Sequence, residues 1–190
     1  EDEWQIAVDI RDGAIGQFLI RPIRYFRYRL CLFAANRVVY TGIALLPIAV
    51  IVGLNSKYVL LPINAVSVLV FGCSLVLAAL LQFVLAYLTA LLAFWVLEIS
   101  TFSFMLLAAQ RLASGEMFPL DLLPSGLMNL LMLTPFPYCT FFPVSVYMGR
   151  LPMAALAQGL AMQTLWILAL FALSRLAWHR GLRTYTVVGG

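Results

Sequence analysis

The segment "YVLLPINAVSVLVFGCSLVLAALLQFVLAYLTALLAFWVL", from Tyr58 to Leu97, holds 40 consecutive residues without a charge. A single helix of that length would be about 60 Å long, roughly twice the thickness of the hydrocarbon core of a bilayer. We therefore expect two membrane spans to share the stretch. One is placed at about residues 62–88. The next runs from about 94–96 to Ala113, with Glu98 in its first turn, where an acid suits the helix dipole.

Composition assigns the whole chain to the membrane. Hydrophobic residues make up 64% of it and charged residues 11%, and the mean hydropathy is +0.99. A soluble domain is usually about 45–50% apolar and about 25% charged. An uncharged stretch at residues 38–54, "VVYTGIALLPIAVIVGL", and another at about 156–178 complete a set of four spans. The sequence therefore predicts an all-α integral membrane protein with four transmembrane helices.

The basic residues indicate which side of the membrane each end occupies. Six of the eleven arginines lie in residues 1–37 and three in residues 175–183, whereas only Lys57, Arg111 and Arg150 lie between. Basic residues beside apolar spans mark cytoplasmic loops. Both ends of the chain are therefore predicted to be cytoplasmic, which agrees with an even number of spans.

The arginine-rich segment, "DGAIGQFLIRPIRYFRYRL" from Asp12 to Leu30, carries four arginines between Arg21 and Arg29 with aromatic rings among them. Gly13 is a natural stop for a short helix before it, and Pro22 suits the first turn of the next helix. Apolar residues at three- and four-residue spacing face away from the arginines, which predicts an amphipathic helix on the membrane surface or docked on a partner. The apolar stripe is Ile23, Phe26, Leu30 and Phe33, and Arg21, Arg24 and Arg27 lie opposite.

The proline-rich segment, residues 114–150, begins with "SGEMFPLDLLPSGLMNLLMLTPFPYC" from Ser114 to Cys139 and is broken repeatedly by glycine and proline. Its apolar run "LMNLLML" is too short to span a bilayer. Short re-entrant helices in the outer leaflet are therefore predicted. Such broken backbone is tolerated at membrane depth only where it packs on protein or lines a cavity.

The residue types needed for catalysis are scarce. The sequence has no GxxxxGK[ST] loop for nucleotide phosphates, no pair of carboxylates at membrane depth, and a single histidine, His179, in a basic tail. Cys31, Cys73 and Cys139 are far apart, which disfavours a zinc site or structural disulfides. We therefore expect no metal site, no cofactor and no enzyme activity in this chain.

The polar residues within the predicted spans leave two readings open. In membranes such residues usually hydrogen-bond between helices, and the alternative is that they line a substrate path. The residues concerned are Asn64, Gln82, Glu98, Gln110, Gln158 and Gln163.

Three separate motifs resemble those of the ABC-2 type permeases, the membrane subunits of ABC exporters. "FLIRPI" at Phe18–Ile23 is similar to the "LLRPI" signature of one subgroup, and "HRGLRTYTVVGG" at His179–Gly190 to its C-terminal "RRGLRRY…GG". "SGEMFPLDLLPSGLMNLLMLTPFPY", from Ser114 to Tyr138, is similar to the outer motif "SGxxFPLDLLP…LTPFPY". The resemblance covers essentially the whole chain and makes it one domain. Its parts are an interface segment (1–36), three spans (37–113), the outer re-entrant segment (114–150), and the last span with a cytoplasmic tail (151–190).

The resemblance implies a function and partners. The chain would be a permease subunit of an ATP-driven exporter in a bacterial cytoplasmic membrane, carrying the last four of six spans. It would pair with a second copy or a related permease, and ATP and Mg would bind to a separate ATPase subunit. Contact with that ATPase would fall on Gly13, Arg21, Pro22, Ile23, Arg24 and Arg27, and an outer gate on Gly115, Phe118, Pro119, Pro124, Pro135 and Pro137.

Two other classes of function stay open on the residues alone. A membrane scaffold would use the arginine-rich segment only as an anchor, and charge cannot separate that role from docking on an ATPase. A membrane enzyme acting on lipids is the weakest alternative, because acids and histidines are lacking. The transported molecule is not readable from the sequence. An amphipathic or lipid-linked molecule fits better than a small ion, because no ring of charges that would select an ion is present.

Overall fold

The computed structural model describes residues 2–20, 24–55, 65–96 and 100–184. These residues form helices joined by short turns and loops, with no β-strand in the described ranges. The chain divides into two compact units, residues 1–12 with 62–190 and residues 13–61. The eight α-helices of the described residues are α1 (Asp2–Arg11), α2 (Ile15–Ile20), α3 (Tyr25–Leu54), α4 (Ala65–Ala90), α5 (Ser100–Ala113), α6 (Ser125–Met132), α7 (Phe141–Tyr147) and α8 (Met153–Thr184). Short 3-10 turns occur at Leu91–Phe94, Leu120–Leu122 and Phe136–Tyr138.

The larger unit is built on the packing of α4 against α8. On α8 the buried residues repeat at spacings of four and seven, which keeps one stripe of the helix facing its neighbour. The stripe on α8 consists of Gly159, Gln163, Leu170, Ser174 and Gly181. Several of these side chains are small, as in membrane helix pairs whose backbones approach closely.

Glycine allows a close approach near the C-terminal end of α8. A methyl group at Gly181 would overlap with the ring of Phe94, which belongs to the 3-10 turn after α4. The same turn contacts α1, which also packs on α4. The buried side chains of α1 are Ile6, Ala7 and Ile10. The predicted short helix before Gly13 is therefore confirmed, and it packs within the larger unit on α4 and on the turn Leu91–Phe94.

In the smaller unit, the predicted amphipathic helix and the first predicted span form one continuous helix, α3. Its 30 residues give a length of about 45 Å, enough to cross the hydrocarbon core and extend beyond it. No glycine or proline interrupts the sequence between Tyr25 and Tyr40, so nothing ends the helix before the span begins. Pro47 lies within the helix without ending it.

Three helices of the described residues are long and apolar enough to cross a membrane: Tyr25–Leu54, Val66–Phe94 and Met153–Arg183. The span expected between about 94–96 and Ala113 corresponds to α5, whose 14 residues give a length of only about 21 Å. Residues 97–99, including Glu98, lie outside the described ranges. The count of four spans and the single-domain division therefore remain predictions, whereas the all-helical membrane architecture is confirmed.

Candidate functional site

The arginine-rich segment begins at a backbone turn that glycine makes possible. Gly13 has φ +80°, a conformation that a side chain disfavours. It separates α1 from α2, and the Gly16 N–H donates to the Gly13 carbonyl at 2.9 Å. The structure therefore gives Gly13 the helix-ending role that the sequence predicts.

The predicted docking arginines lie on the surface where the structure describes them. Arg24 is exposed and has an extended backbone (φ −72°, ψ 119°) at the start of α3. Arg27 is exposed one turn into that helix. Arg21, Pro22 and Ile23 lie outside the described residues. Two guanidinium groups are thus presented beside a break between helices.

Arg29, which the sequence analysis left out of the candidate site, is buried with 7% of its surface exposed. Its Nε donates to the Tyr25 hydroxyl at 2.9 Å, and its guanidinium lies 5.5 Å from the centre of the Tyr25 ring and 6.0 Å from that of Tyr28. The ring of Phe18 from α2 lies 5.1 Å from Tyr25 and 5.0 Å from Tyr28. This aromatic cluster fixes α2 against the start of α3 and so positions the break that carries Arg24.

Helical spacing was the signal for this cluster in the sequence. Tyr25 and Arg29 are four residues apart, so they are neighbours on one helix face. Phe26, Leu30 and Phe33 of the predicted apolar stripe are half-buried. An arginine can be buried when its charge is met by a hydroxyl and ring faces, which a count of apolar residues does not reveal.

The proline-rich segment is closed by a backbone hydrogen bond where it leaves α5. The Phe141 N–H donates to the Ser114 carbonyl at 3.1 Å, which joins the two ends of a loop of short helices. Gly115, next to Ser114, has φ +80°, and a Cβ there would lie 3.0 Å from Cγ of the buried Leu120. The segment is therefore folded, and its two ends are packed together where Ser114 meets Phe141 and Gly115 meets Leu120; we call these contacts the neck of the segment.

The predicted gate residues fall into two groups. Pro135 and Pro137 are buried at the 3-10 turn Phe136–Tyr138, which contacts α5, α6, α7 and α8. Phe118 is half-buried, and Pro119 and Pro124 are exposed at the starts of the next 3-10 turn and of α6. The structure thus brings Gly115 near Leu120 and buries Pro135 and Pro137, while Phe118 is half-buried and Pro119 and Pro124 lie at the surface.

An ion pair on the surface joins the 3-10 turn Leu120–Leu122 to the last residue of the proline-rich segment. Arg150 Nη1 donates to Asp121 Oδ2 at 2.9 Å, with about half of each side chain exposed. Exposed pairs contribute at most about 1 kcal/mol, so this contact orients the segment more than it stabilises it.

Gln163 is the main polar contact between the proline-rich segment and the long helices. Its side chain is completely buried. Its Nε2 donates to the carbonyl of Tyr138 at 2.9 Å and to that of Ser74 on α4 at 3.2 Å. Gln163 thus hydrogen-bonds between helices, which the sequence analysis gave as the usual role of such residues, whereas Gln158 on the same helix is exposed. Asn64 and Glu98 lie outside the described residues.

A family model described as "ABC-2 family transporter protein" matches residues 1–189. Because the match covers nearly the whole chain, the protein belongs to this family of membrane transport components. No curated protein and no solved structure matches the chain. The resemblance carried by the three motifs is therefore confirmed at the level of the family, and the protein is a membrane protein of the ABC-2 transporter class.

Proposed function

We propose that the chain is the permease subunit of an ATP-driven exporter, lines the substrate path, and takes its energy from a separate ATPase subunit that binds ATP and Mg. Permeases of this family work with ABC ATPase components. The observation that carries the proposal is the arginine-rich segment. In it, exposed arginines lie next to the aromatic cluster of Phe18, Tyr25, Tyr28 and the buried Arg29.

The arrangement of that segment suits a force-transmitting contact better than a lipid anchor. Arg24 and Arg27 are exposed, and arginine can pair bidentately with carboxylates on a protein surface. Just behind them, the buried Arg29–Tyr25 contact connects the start of α3 to α2. Since α3 is continuous with a candidate span, a push on this surface would be carried directly into the membrane region.

In this proposal the proline-rich segment lies on the outer side and controls one end of the path. The buried Pro135 and Pro137 fix backbone angles. Because Gly115 packs closely on Leu120, the segment is held together and would move as a unit. The transported molecule would be amphipathic or lipid-linked. Two permease chains, identical or related, would enclose the path, and the two ends of this chain would be cytoplasmic.

Co-purification of the full-length protein from its native membrane tests the proposal. We expect an ABC ATPase subunit to be recovered with it, and the mixture to hydrolyse ATP. Recovery of other proteins without an ATPase would favour a scaffold, and turnover of lipid without ATP would favour an enzyme. Either result would contradict the proposed function.

A further inference from the structure

We propose that Gln163 is a positioning residue that latches the proline-rich segment onto the α4–α8 pair, and that this latch opens during the transport cycle. The inference rests on the proposed function only for the second half, the opening. The first half concerns the hydrogen bonds of one side chain and stands on the geometry alone.

The latch joins three parts of the larger unit through one amide group. The two acceptors, the carbonyls of Ser74 and Tyr138, fix the orientation of the Gln163 side chain, because only the NH₂ end can donate to both. Ser74 lies on α4, Tyr138 on the proline-rich segment and Gln163 on α8. Loss of this single side chain would therefore leave the proline-rich segment without its buried polar connection to both helices.

A second contact, one helical turn before Gln163 on α8, helps to fix where the proline-rich segment docks on that helix. Phe142 of α7 is buried, and a methyl group at Gly159 would overlap with its ring. Tyr138 and Phe142 are four residues apart, as are Gly159 and Gln163, so the two contacts align antiparallel. The proline-rich segment thus docks on α8 at a ring-on-glycine contact and at the amide.

Two polar atoms of the latch residues, Gln163 Oε1 and Ser74 Oγ, are buried without a hydrogen-bond partner among the described residues. Each buried polar atom without a partner destabilises the state that contains it, and such atoms call for an explanation in a folded protein. A contact that served stability alone would gain from pairing them. A contact that must open gains from a closed state that is not too stable.

Cys139 provides a native reporter of this contact. It follows Tyr138 directly, is buried, and its Sγ lies 3.7 Å from the Pro135 carbonyl. Burial raises the pKa of its thiol to about 12, so the thiolate that reacts with maleimides is scarce while the segment is closed. Opening would hydrate the thiol, return its pKa toward the ordinary value, and expose it to the reagent.

The experiment measures the rate at which N-ethylmaleimide labels Cys139 in membranes containing the full-length protein and its co-purifying ATPase. Cys31 and Cys73, which are exposed, and any cysteine elsewhere in the full protein are replaced by serine. Gln163→Met keeps the length of the side chain and removes both hydrogen bonds. Gln158→Met makes the same chemical change at an exposed position of the same helix.

We expect Gln163→Met to be labelled roughly tenfold faster than the parent, as loss of two buried hydrogen bonds would allow, and Gln158→Met to be unchanged. Ser74→Ala keeps the carbonyl acceptor and removes only the unpaired hydroxyl, so its rate should not rise. Equal rates in Gln163→Met and the parent, or equal acceleration by Gln158→Met, would overturn the latch.

Nucleotide tests the opening in the parent protein, where no substitution at Gln163 can disturb folding. We expect the labelling rate of the parent to rise when ATP and Mg are added and the ATPase is held by vanadate, because opening exposes the thiol, and Gln163→Met, already open, to show no further rise. An ATP-independent rate in a preparation that hydrolyses ATP would overturn the opening. A preparation without an ATPase would contradict the proposed function instead, while the comparison of variants would still decide the latch.

Discussion

The ring of Phe142 lies against the bare backbone of Gly159, so that a methyl group at this glycine would overlap with the ring. The contact joins α7 of the proline-rich segment to α8, a candidate membrane span. Four residues before Phe142, the carbonyl of Tyr138 accepts a hydrogen bond from Gln163, which lies four residues after Gly159 on α8. The short helices are thus held on the long ones by shape and by hydrogen bonding at neighbouring positions.

Gly159→Ala should destabilise the protein by about 1–3 kcal/mol, because the added methyl overpacks the contact with Phe142. The measurement is thermal unfolding of the purified protein in detergent. When Phe142→Ala is already present, Gly159→Ala should cost less, since the ring that the methyl meets is gone, even though Phe142→Ala is itself destabilising.

Gly72→Ala is the matched control for this substitution. Gly72 also lies within a candidate span, and no atom lies within 4 Å of a Cβ placed there. Its replacement should leave stability unchanged or slightly raised, since alanine favours helix. Equal losses at both glycines, or the same loss from Gly159→Ala with and without the Phe142 ring, would contradict the close contact.

Gly115→Ala should cost roughly 1–2 kcal/mol, because a residue with a side chain is strained at φ +80° and its Cβ would press on Leu120. Gly126→Ala in α6, where nothing lies within 4 Å, serves as the comparison and should be tolerated. Chemical denaturation followed by intrinsic fluorescence measures the difference. A Gly115→Ala protein as stable as the comparison would show that the neck of the proline-rich segment is not packed as described.

Pro135→Ala should lower transport while ATP hydrolysis continues, because the buried proline fixes the backbone of the turn that faces four helices. Pro119→Ala, which the sequence analysis places in the same gate, should have the same direction of effect but be milder, since Pro119 is exposed. Substrate efflux from cells and hydrolysis by the purified complex are measured in parallel. Wild-type efflux in both variants would argue against a gating role.

The sequence predicted the helical membrane class and the stops at Gly13 and through the proline-rich segment, because uncharged length and backbone-breaking residues act locally. It predicted neither the burial of Arg29 nor that Gln163, rather than Gln158, would be the buried glutamine of α8. Those depend on which face of a helix meets a neighbour. On helices that are apolar on all sides, hydrophobic periodicity does not mark that face.

The predicted and observed bounds also differ at α3 and at α5. Nothing in the residues marks where a surface helix ends and a span begins, so the predicted amphipathic helix proved continuous with the span. The span expected to end at Ala113 has only 14 described helical residues. Its length depends on residues 97–99, which the structure does not describe.

Cysteine labelling tests the proposed arrangement across the membrane. Arg150→Cys should react with an impermeant thiol reagent from the outside, and Arg183→Cys only from the cytoplasm, because clustered arginines mark the cytoplasmic side. Both arginines are exposed, so the reagent can reach either position. Labelling of the two positions from the same side would contradict an α8 that crosses the membrane between them.

Lysine replacement tests whether the arginine-rich segment couples this subunit to an ATPase. Arg21→Lys with Arg24→Lys keeps the charge that a lipid anchor needs and removes the planar fork that pairs with carboxylates. Arg111→Lys, exposed at the end of α5, is the control.

The measurement is recovery of the ATPase with the purified permease and the stimulation of its hydrolysis by substrate. We expect the double variant to insert in the membrane as the parent does but to recover less ATPase or to lose stimulation, while Arg111→Lys keeps both. Parent-level assembly and parent-level stimulated hydrolysis in the double variant would contradict the docking role of these two arginines.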